Sequence, residues 1–196
     1  HGKMPFTLSL QAFDQERLSR YFQIAALNSI GKNFRFRQAD NGKCVVLNPD
    51  AEEDSGEMSS FMQLLAAYSR GNLGVAIDAW RSALRTEPDK VIAKEVEKED
   101  RERSQQTLWV TPWEKLKFPG LPTDAKHNEA FVLQNLLLHN GLSLDWLQHL
   151  LPLPPYLVME TLFRLKEVGL TMQRADIWEV TRSGYPVVRQ FLQKSG

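Results

Sequence analysis

The sequence predicts a mainly α-helical protein with two helical parts joined by an irregular segment. Apolar residues recur three and four positions apart in ranges 14–85 and 128–192, which is the spacing of one face of an α-helix. Between these ranges the chain is first highly charged and then rich in proline. We therefore expect a helical subdomain with a small β-hairpin at 1–88, a charged linker and extended connector at 89–125, and a second domain at 126–196.

The first helix is predicted from Asp14 to Leu27. Leu18 and Phe22 share one face of it, and the Asp14 carboxylate can accept hydrogen bonds from the free amides of the first turn. Two further helices are predicted at Met58–Tyr68 and Asn72–Arg85, since their apolar residues also follow helical spacing.

A small β-hairpin is predicted between the first two helices. Phe34 and Phe36 alternate with arginines, and the range Cys44–Leu47 is rich in β-branched residues. The tripeptide Asp40-Asn41-Gly42 lies between these two arms and is typical of a tight turn. The next segment, Asn48–Gly56, is predicted to be a loop because it contains Pro, Asp, Ser and Gly without an apolar period.

The segment that joins the two parts is predicted to be exposed. Glu87–Arg103 contains seven acids and five bases, which indicates a solvated linker that is helical in part. Thr107–Thr111 is β-prone, and prolines then predict an extended connector at Trp113–Thr123. A buried Trp109 or Trp113 would pin this connector to one of the domains.

The last part of the chain predicts three helices, a hairpin and a final helix. The helices are expected at Asn128–His139, at Leu144–Leu151 behind a Ser143 cap, and from Pro155 to a left-handed Gly169. The hairpin is expected at 170–180 and the final helix after Pro186.

Composition limits the classes of function. The 24 basic and 24 acidic side chains cancel, so a nonspecific polyanion binder is not indicated. The single cysteine, Cys44, excludes an internal disulfide and a cysteine-rich metal site, and it suits the reducing cytoplasm. No apolar run reaches the ~18 residues that a membrane span needs, and no histidine pair has metal-binding spacing. We expect neither membrane insertion nor a metal.

Two short motifs carry a resemblance to a known family. Arg70–Trp80 reads Arg-Gly-Asn-Leu-Gly-Val-Ala-Ile-Asp-Ala-Trp and resembles the helical lid of AAA+ and STAND-like ATPases, in which Gly-Asn/Asp-x-Arg-x-Ala begins a helix. Leu162–Leu170 has the pattern Leu-x-x-Leu-x-x-x-Gly-Leu, which is similar to the third helix of a winged-helix domain. The resemblance implies a helical lid followed by a winged helix, which is the C-terminal portion of several such ATPases.

The resemblance implies a nucleotide contact at Arg70, Gly71 and Asn72, where the start of the lid helix reaches back to ATP. The family's arginine position is Gly74 here, and glycine carries no charge, so the lid is expected to close through backbone and shape. The sequence contains no Gly-x-x-x-x-Gly-Lys-Ser/Thr loop and no strand that ends in paired carboxylates for Mg²⁺. We therefore expect a noncatalytic chain without a cofactor of its own, whose first partner is a missing N-terminal nucleotide-binding domain.

The winged-helix resemblance also leaves two other functions open. Winged helices that bind DNA place the third helix in the major groove, and Tyr156, Arg164, Lys166 and the wing residue Arg174 are the candidate contacts. The chain would then be a DNA-binding regulator with a helical dimerisation or sensor domain. Few phosphate contacts are available, since residues 126–196 hold seven bases and six acids. A protein-docking adaptor that also uses the acidic loop Asp50–Glu57 is the third possibility.

Overall fold

The computed structural model describes residues 11–30, 34–46, 57–87 and 106–195, which belong to two compact units. Unit 1 ends at Leu116 and unit 2 begins at Lys117. Helices predominate in both units, and each unit contains one three-stranded sheet. The loop predicted at 48–56 and nearly all of the charged linker predicted at 87–103 lie outside the described residues.

Three helices form most of unit 1: α1 (Gln15–Ile30), α2 (Phe61–Ser69) and α3 (Leu73–Ala83). As predicted, Asp14 caps α1, and its Oδ1 accepts from the Arg17 amide at 2.9 Å. Helix α2 begins at Phe61 rather than Met58. Met58 instead forms a parallel bridge with Cys44, and the Ser59 amide donates to the Cys44 carbonyl at 2.8 Å.

The sheet of unit 1 has the order β1-β3-β2, with β1 at Phe34–Gln38, β2 at Leu84–Arg85 and β3 at Gln106–Val110. Strand β1 is parallel to β3, and β2 is antiparallel to it. The predicted third helix therefore ends at Ala83, because the next two residues pair in the sheet. Strand β3 is the β-prone segment that the sequence placed in a connector.

The predicted hairpin is present only as a tight return of the chain. The Gln38 amide donates to the Lys43 carbonyl at 2.9 Å, and Arg37 and Cys44 form a single antiparallel bridge. The hairpin prediction was wrong about the main partner of β1, which is β3. Alternation within a strand shows which side chains face the core, but it does not identify a partner that lies far away in sequence.

Trp80 of α3 is the centre of the unit 1 core. Its ring stacks on Phe22 with centroids 4.6 Å apart, and it meets Phe36 and Phe61 edge-on at 5.2 and 5.9 Å. These partners come from α1, β1 and α2, so one side chain ties together four elements. The two tryptophans that were predicted to attach the connector to a domain both pack in unit 1. Trp109 is buried in β3, and Trp113 packs edge-on against Phe61 at 5.5 Å.

Unit 2 contains four helices and three short strands. The helices are α4 (His127–Leu138), α5 (Leu144–Leu150), α6 (Pro155–Glu167) and α7 (Tyr185–Ser195). The strands are β4 (Leu142–Ser143), β5 (Thr171–Arg174) and β6 (Ile177–Val180). They form an antiparallel sheet in the order β4-β6-β5. The chain order is helix, strand, two helices, two strands and a helix.

Local sequence signals set the limits of these elements. The Ser143 side chain accepts from the Trp146 amide, and Pro155 is the first residue of α6, both as predicted. Gly169 has φ +78°, and the Leu170 amide donates to the Leu165 carbonyl at 2.9 Å, which completes a Schellman motif. One core connects the helices to the sheet; it includes Val132, Leu133, Leu136, Leu147, Val158, Leu162, Leu165, Leu170, Trp178 and Val188.

Candidate functional site

The corner between α2 and α3 contains the three predicted nucleotide contacts. Arg70 and Gly71 both have left-handed backbones, with φ of 49° and 78°, and the Asn72 amide donates to the Ser69 carbonyl at 2.9 Å. Two consecutive left-handed residues reverse the chain tightly, so α3 begins directly after α2 ends. Arg70 and Asn72 are exposed, and Gly71 is partly covered.

The first turn of α3 is capped by its own sequence. Asn72 Oδ1 accepts from the amides of Gly74 and Val75, at 3.0 and 3.3 Å. Amides at this position can bind an anion because they lack helical partners. Here the Asn72 carboxamide occupies two of them, so a phosphate group would have to displace it. Arg70 is the exposed cation of the corner, and Gly74 adds no charge at the family's arginine position.

The other side of the corner is closed by the segment that precedes α1. The Phe13 amide donates to the Gly71 carbonyl at 3.4 Å, and a Cβ atom added to Gly71 would lie 2.3 Å from the Cβ of Ala12. Glycine is therefore required here for two reasons, its positive φ and the close approach of another backbone.

In unit 2, the outward side of α6 carries large apolar side chains. Tyr156, Met159 and Phe163 are 69%, 40% and 48% exposed. They follow one another at spacings of three and four, so they form one row along the helix. The sequence analysis singled out Tyr156 but missed Met159 and Phe163. The available signal was their spacing of three and seven residues from Tyr156.

The three basic candidates of unit 2 all have partners. Arg164 Nη2 lies 2.5 Å from Asp124 Oδ1, and its Nη1 lies 3.3 Å from the buried Glu129. Arg174 lies 3.2 Å from Glu179 on the neighbouring strand, and the Lys166 ammonium is 5.7 Å from the centre of the Trp178 ring. A DNA phosphate would have to compete with these contacts.

Unit 2 also contains an open pocket that the sequence did not predict. It has a volume of about 450 Å³ and lies between α4 and α7. Phe131, Phe191 and Leu192 contribute apolar walls, and Lys126 and His127 contribute polar edges. The Lys126 amide, at the N-cap of α4, already donates to Glu129 Oε2 at 2.9 Å.

No group of three or more His, Cys, Asp or Glu residues that could hold a metal ion occurs in the part of the chain that the structure describes. Within that same part, no helix is long and apolar enough to cross a membrane. The Asp145 and His149 pair lies on the exposed side of α5, where His149 Nδ1 is 2.7 Å from the Asp145 carbonyl.

Comparisons of this chain with protein-family models, with curated proteins and with solved structures find no match.

Proposed function

We propose that this chain is the noncatalytic C-terminal region of an AAA+-type ATPase, with unit 1 as the helical lid and unit 2 as a winged helix. The observation that carries the proposal is the α2–α3 corner, where Gly71 and Asn72 begin a helix in an exposed, sharply turned position. The order of helices and strands in unit 2 supports the second half of the proposal.

The proposed role of unit 1 is to follow the state of a nucleotide bound by another domain. The N-terminus of α3 carries a partial positive charge and Arg70 is next to it, so the corner favours negative charge nearby. Gly74 has no charged side chain to offer a γ-phosphate, and Asn72 already caps the helix. In this proposal the lid therefore responds through the position of its backbone, and the phosphate chemistry belongs to the other domain.

The experiment that tests this proposal has two parts. The coding sequence upstream of Lys3 is read for a phosphate-loop domain in the same frame, and the purified chain is assayed for ATP hydrolysis. The expected results are a phosphate-loop domain upstream and no turnover by the chain alone. Either an upstream sequence without that domain or measurable turnover by the chain contradicts the proposal. The proposal also assigns the chain to the cytoplasm, where the buried Cys44 thiol stays reduced.

For unit 2 we propose a protein partner rather than duplex DNA. The apolar row on α6 favours contact with protein, because exposed clusters of large apolar residues are typical of interaction sites. The cations needed for DNA are engaged by Asp124, Glu129, Glu179 and Trp178. A mobility-shift assay with duplex DNA at low salt is expected to show no complex, whereas a complex that weakens steeply with salt favours the DNA-binding alternative.

A further inference from the structure

The apolar row on α6, defined as Tyr156, Met159 and Phe163, lies outside the side of the helix that faces the core. Val158, Leu162 and Leu165 are fully buried in unit 2, and the row occupies positions between them. Because an α-helix rises about 1.5 Å per residue, the row extends over about 10 Å, which is two helical turns. Its length matches the apolar stripe of a partner helix laid along α6.

Part of the row is held in place before any partner binds. The Phe163 ring meets the Trp178 ring edge-on, with centroids 5.6 Å apart and planes at 86°. Trp178 is itself buried in β6. A fixed aromatic ring loses little conformational freedom on binding, so Phe163 is suited to be the central anchor of an interface.

The charges beside the row identify the chemistry of the partner. Glu160 and Glu167 are exposed on the same outward side of α6, and neither forms an ion pair with any residue that the structure describes. Lys166 is turned towards Trp178, and Arg164 is held by two carboxylates. Lys166 keeps its charge in this contact, so two exposed carboxylates and one exposed ammonium group lie beside the row, and this excess of negative charge favours a basic partner.

We propose that the outward side of α6 binds an amphipathic helix of a protein partner, whose apolar stripe covers Tyr156, Met159 and Phe163 and whose Lys or Arg residues contact Glu160 and Glu167. This inference rests on the proposed protein-binding role of unit 2 and specifies the partner's chemistry. It does not depend on the nucleotide domain.

The test uses the whole chain and two synthetic helical peptides of about 14 residues, one made of Leu and Lys and the other of Leu and Glu with the same Leu positions. Binding is measured by fluorescence anisotropy and mapped by NMR on the amides of the chain. The Leu/Lys peptide is expected to bind saturably, at least about tenfold more tightly than the Leu/Glu peptide, and to shift amides along 156–167.

Variants locate the site. Phe163→Ser is expected to weaken the binding of the Leu/Lys peptide about tenfold. The double change Glu160→Lys with Glu167→Lys is expected to make the chain bind the Leu/Glu peptide more tightly than the Leu/Lys peptide. The charge reversal keeps the core and the apolar row intact, so it remains informative if Phe163→Ser unfolds. Ile24→Ser on α1 removes an equally exposed apolar side chain from unit 1 and is expected to leave binding unchanged.

Four outcomes overturn the inference: no saturable binding, shifts away from α6, equal affinity for both peptides, or self-association of the chain through Phe163 in sedimentation measurements. The last outcome would assign the row to a second copy of this chain. These results are separable from the proposed ATPase role, because that role is decided by the upstream coding sequence and the hydrolysis assay.

Discussion

Arg164 Nη1 lies 3.3 Å from Oε1 of Glu129, and the Glu129 side chain is only 4% exposed. The other carboxylate oxygen of Glu129 accepts from the Lys126 amide at 2.9 Å, so this one side chain caps α4 and pairs with α6. A buried carboxylate needs such partners, because burial without them carries a large desolvation cost. The pair therefore identifies Arg164 as a structural residue of unit 2.

The first prediction follows from this pair. Arg164→Ala leaves the buried Glu129 without its cation, and we expect it to lower the free energy of unfolding by about 2 kcal/mol. Arg174→Ala removes an exposed pair on the hairpin and is expected to cost less than about 0.5 kcal/mol. Urea denaturation followed by the fluorescence of tryptophan measures both. Equal effects of the two variants would show that the Arg164 pair is no stronger than a surface pair.

This role of Arg164 also changes the choice of variants for a DNA-binding experiment. Loss of DNA binding by Arg164→Ala could come from partial unfolding, so it would not identify a phosphate contact. Lys166→Ala and Arg174→Ala are the informative variants, because neither cation partners a buried carboxylate. Each variant is expected to show no complex with duplex DNA in a mobility-shift assay, as the wild type does.

The second prediction compares two glycines of the α2–α3 corner. Gly71→Ala places a Cβ 2.3 Å from the Cβ of Ala12 at a residue with φ +78°. We expect this change to lower the free energy of unfolding by about 2–4 kcal/mol. At Gly74 the added Cβ would lie 3.3 Å from Asn72 Oδ1, and alanine favours the helix. The free energy of unfolding of Gly74→Ala is therefore expected to lie within about 0.5 kcal/mol of the wild-type value or above it. Thermal unfolding compares the two variants, and a tolerated Gly71→Ala contradicts the geometry of the corner.

The helix ends that carry a local cap could be predicted from the sequence, because a cap depends on residues close in sequence. Asp14 and Ser143 accept from amides within their own first turns, and Gly169 ends α6 with the Schellman bonds that were expected. The sheet of unit 1 could not be predicted in the same way. Strand β1 pairs with Gln106–Val110 across a long stretch of chain, and no local pattern at either strand identifies the other.

The same difference between local and distant contacts applies to the candidate sites. The α2–α3 corner was predictable, because Asn72 begins a helix through its own side chain and amides close in sequence. The pairing of Arg164 with Asp124 and Glu129 was not, since it joins residues 40 and 35 positions apart in sequence. A count of cations on one helix face therefore overstates the charge that is available to DNA.

The third prediction concerns Asn72. Asn72→Ala removes the acceptor for the Gly74 and Val75 amides and is expected to cost about 1 kcal/mol. Asn72→Asp keeps an acceptor and adds a negative charge at the helix N-terminus, so it is expected to be as stable as the wild type. Chemical denaturation measures both variants. A fully stable Asn72→Ala would show that the cap contributes nothing, and the amides would then be free to bind an anion.

The fourth prediction concerns pH and Tyr68 of α2. Burial, with a smaller contribution from the negative charge of Asp78, raises the pKa of Tyr68 to about 12. Its ring also packs edge-on against Trp113 at 5.6 Å, and the side chain is half-buried in unit 1. An unfolded tyrosine ionises near a pKa of about 10, so the unfolded chain loses this proton first as pH rises. The stability contribution of Tyr68 is therefore complete below about pH 10 and is lost as the pH rises to about 12.

The variant Tyr68→Phe isolates this contribution from the other groups that titrate in alkali. The loss of stability between about pH 10 and 12 is expected to be steeper in the wild type than in Tyr68→Phe, because only the wild type releases this proton on unfolding. Tyr156→Phe, which changes an exposed ring, is the matched control and is expected to retain the steep wild-type decline. Asp78→Asn removes a negative charge that raises the pKa of Tyr68 in the folded chain, so the decline is expected to start at the same pH and to end at a slightly lower pH. The wild type and Tyr68→Phe could instead lose stability in parallel over this range. That result would show that folding does not raise the pKa of the Tyr68 phenol.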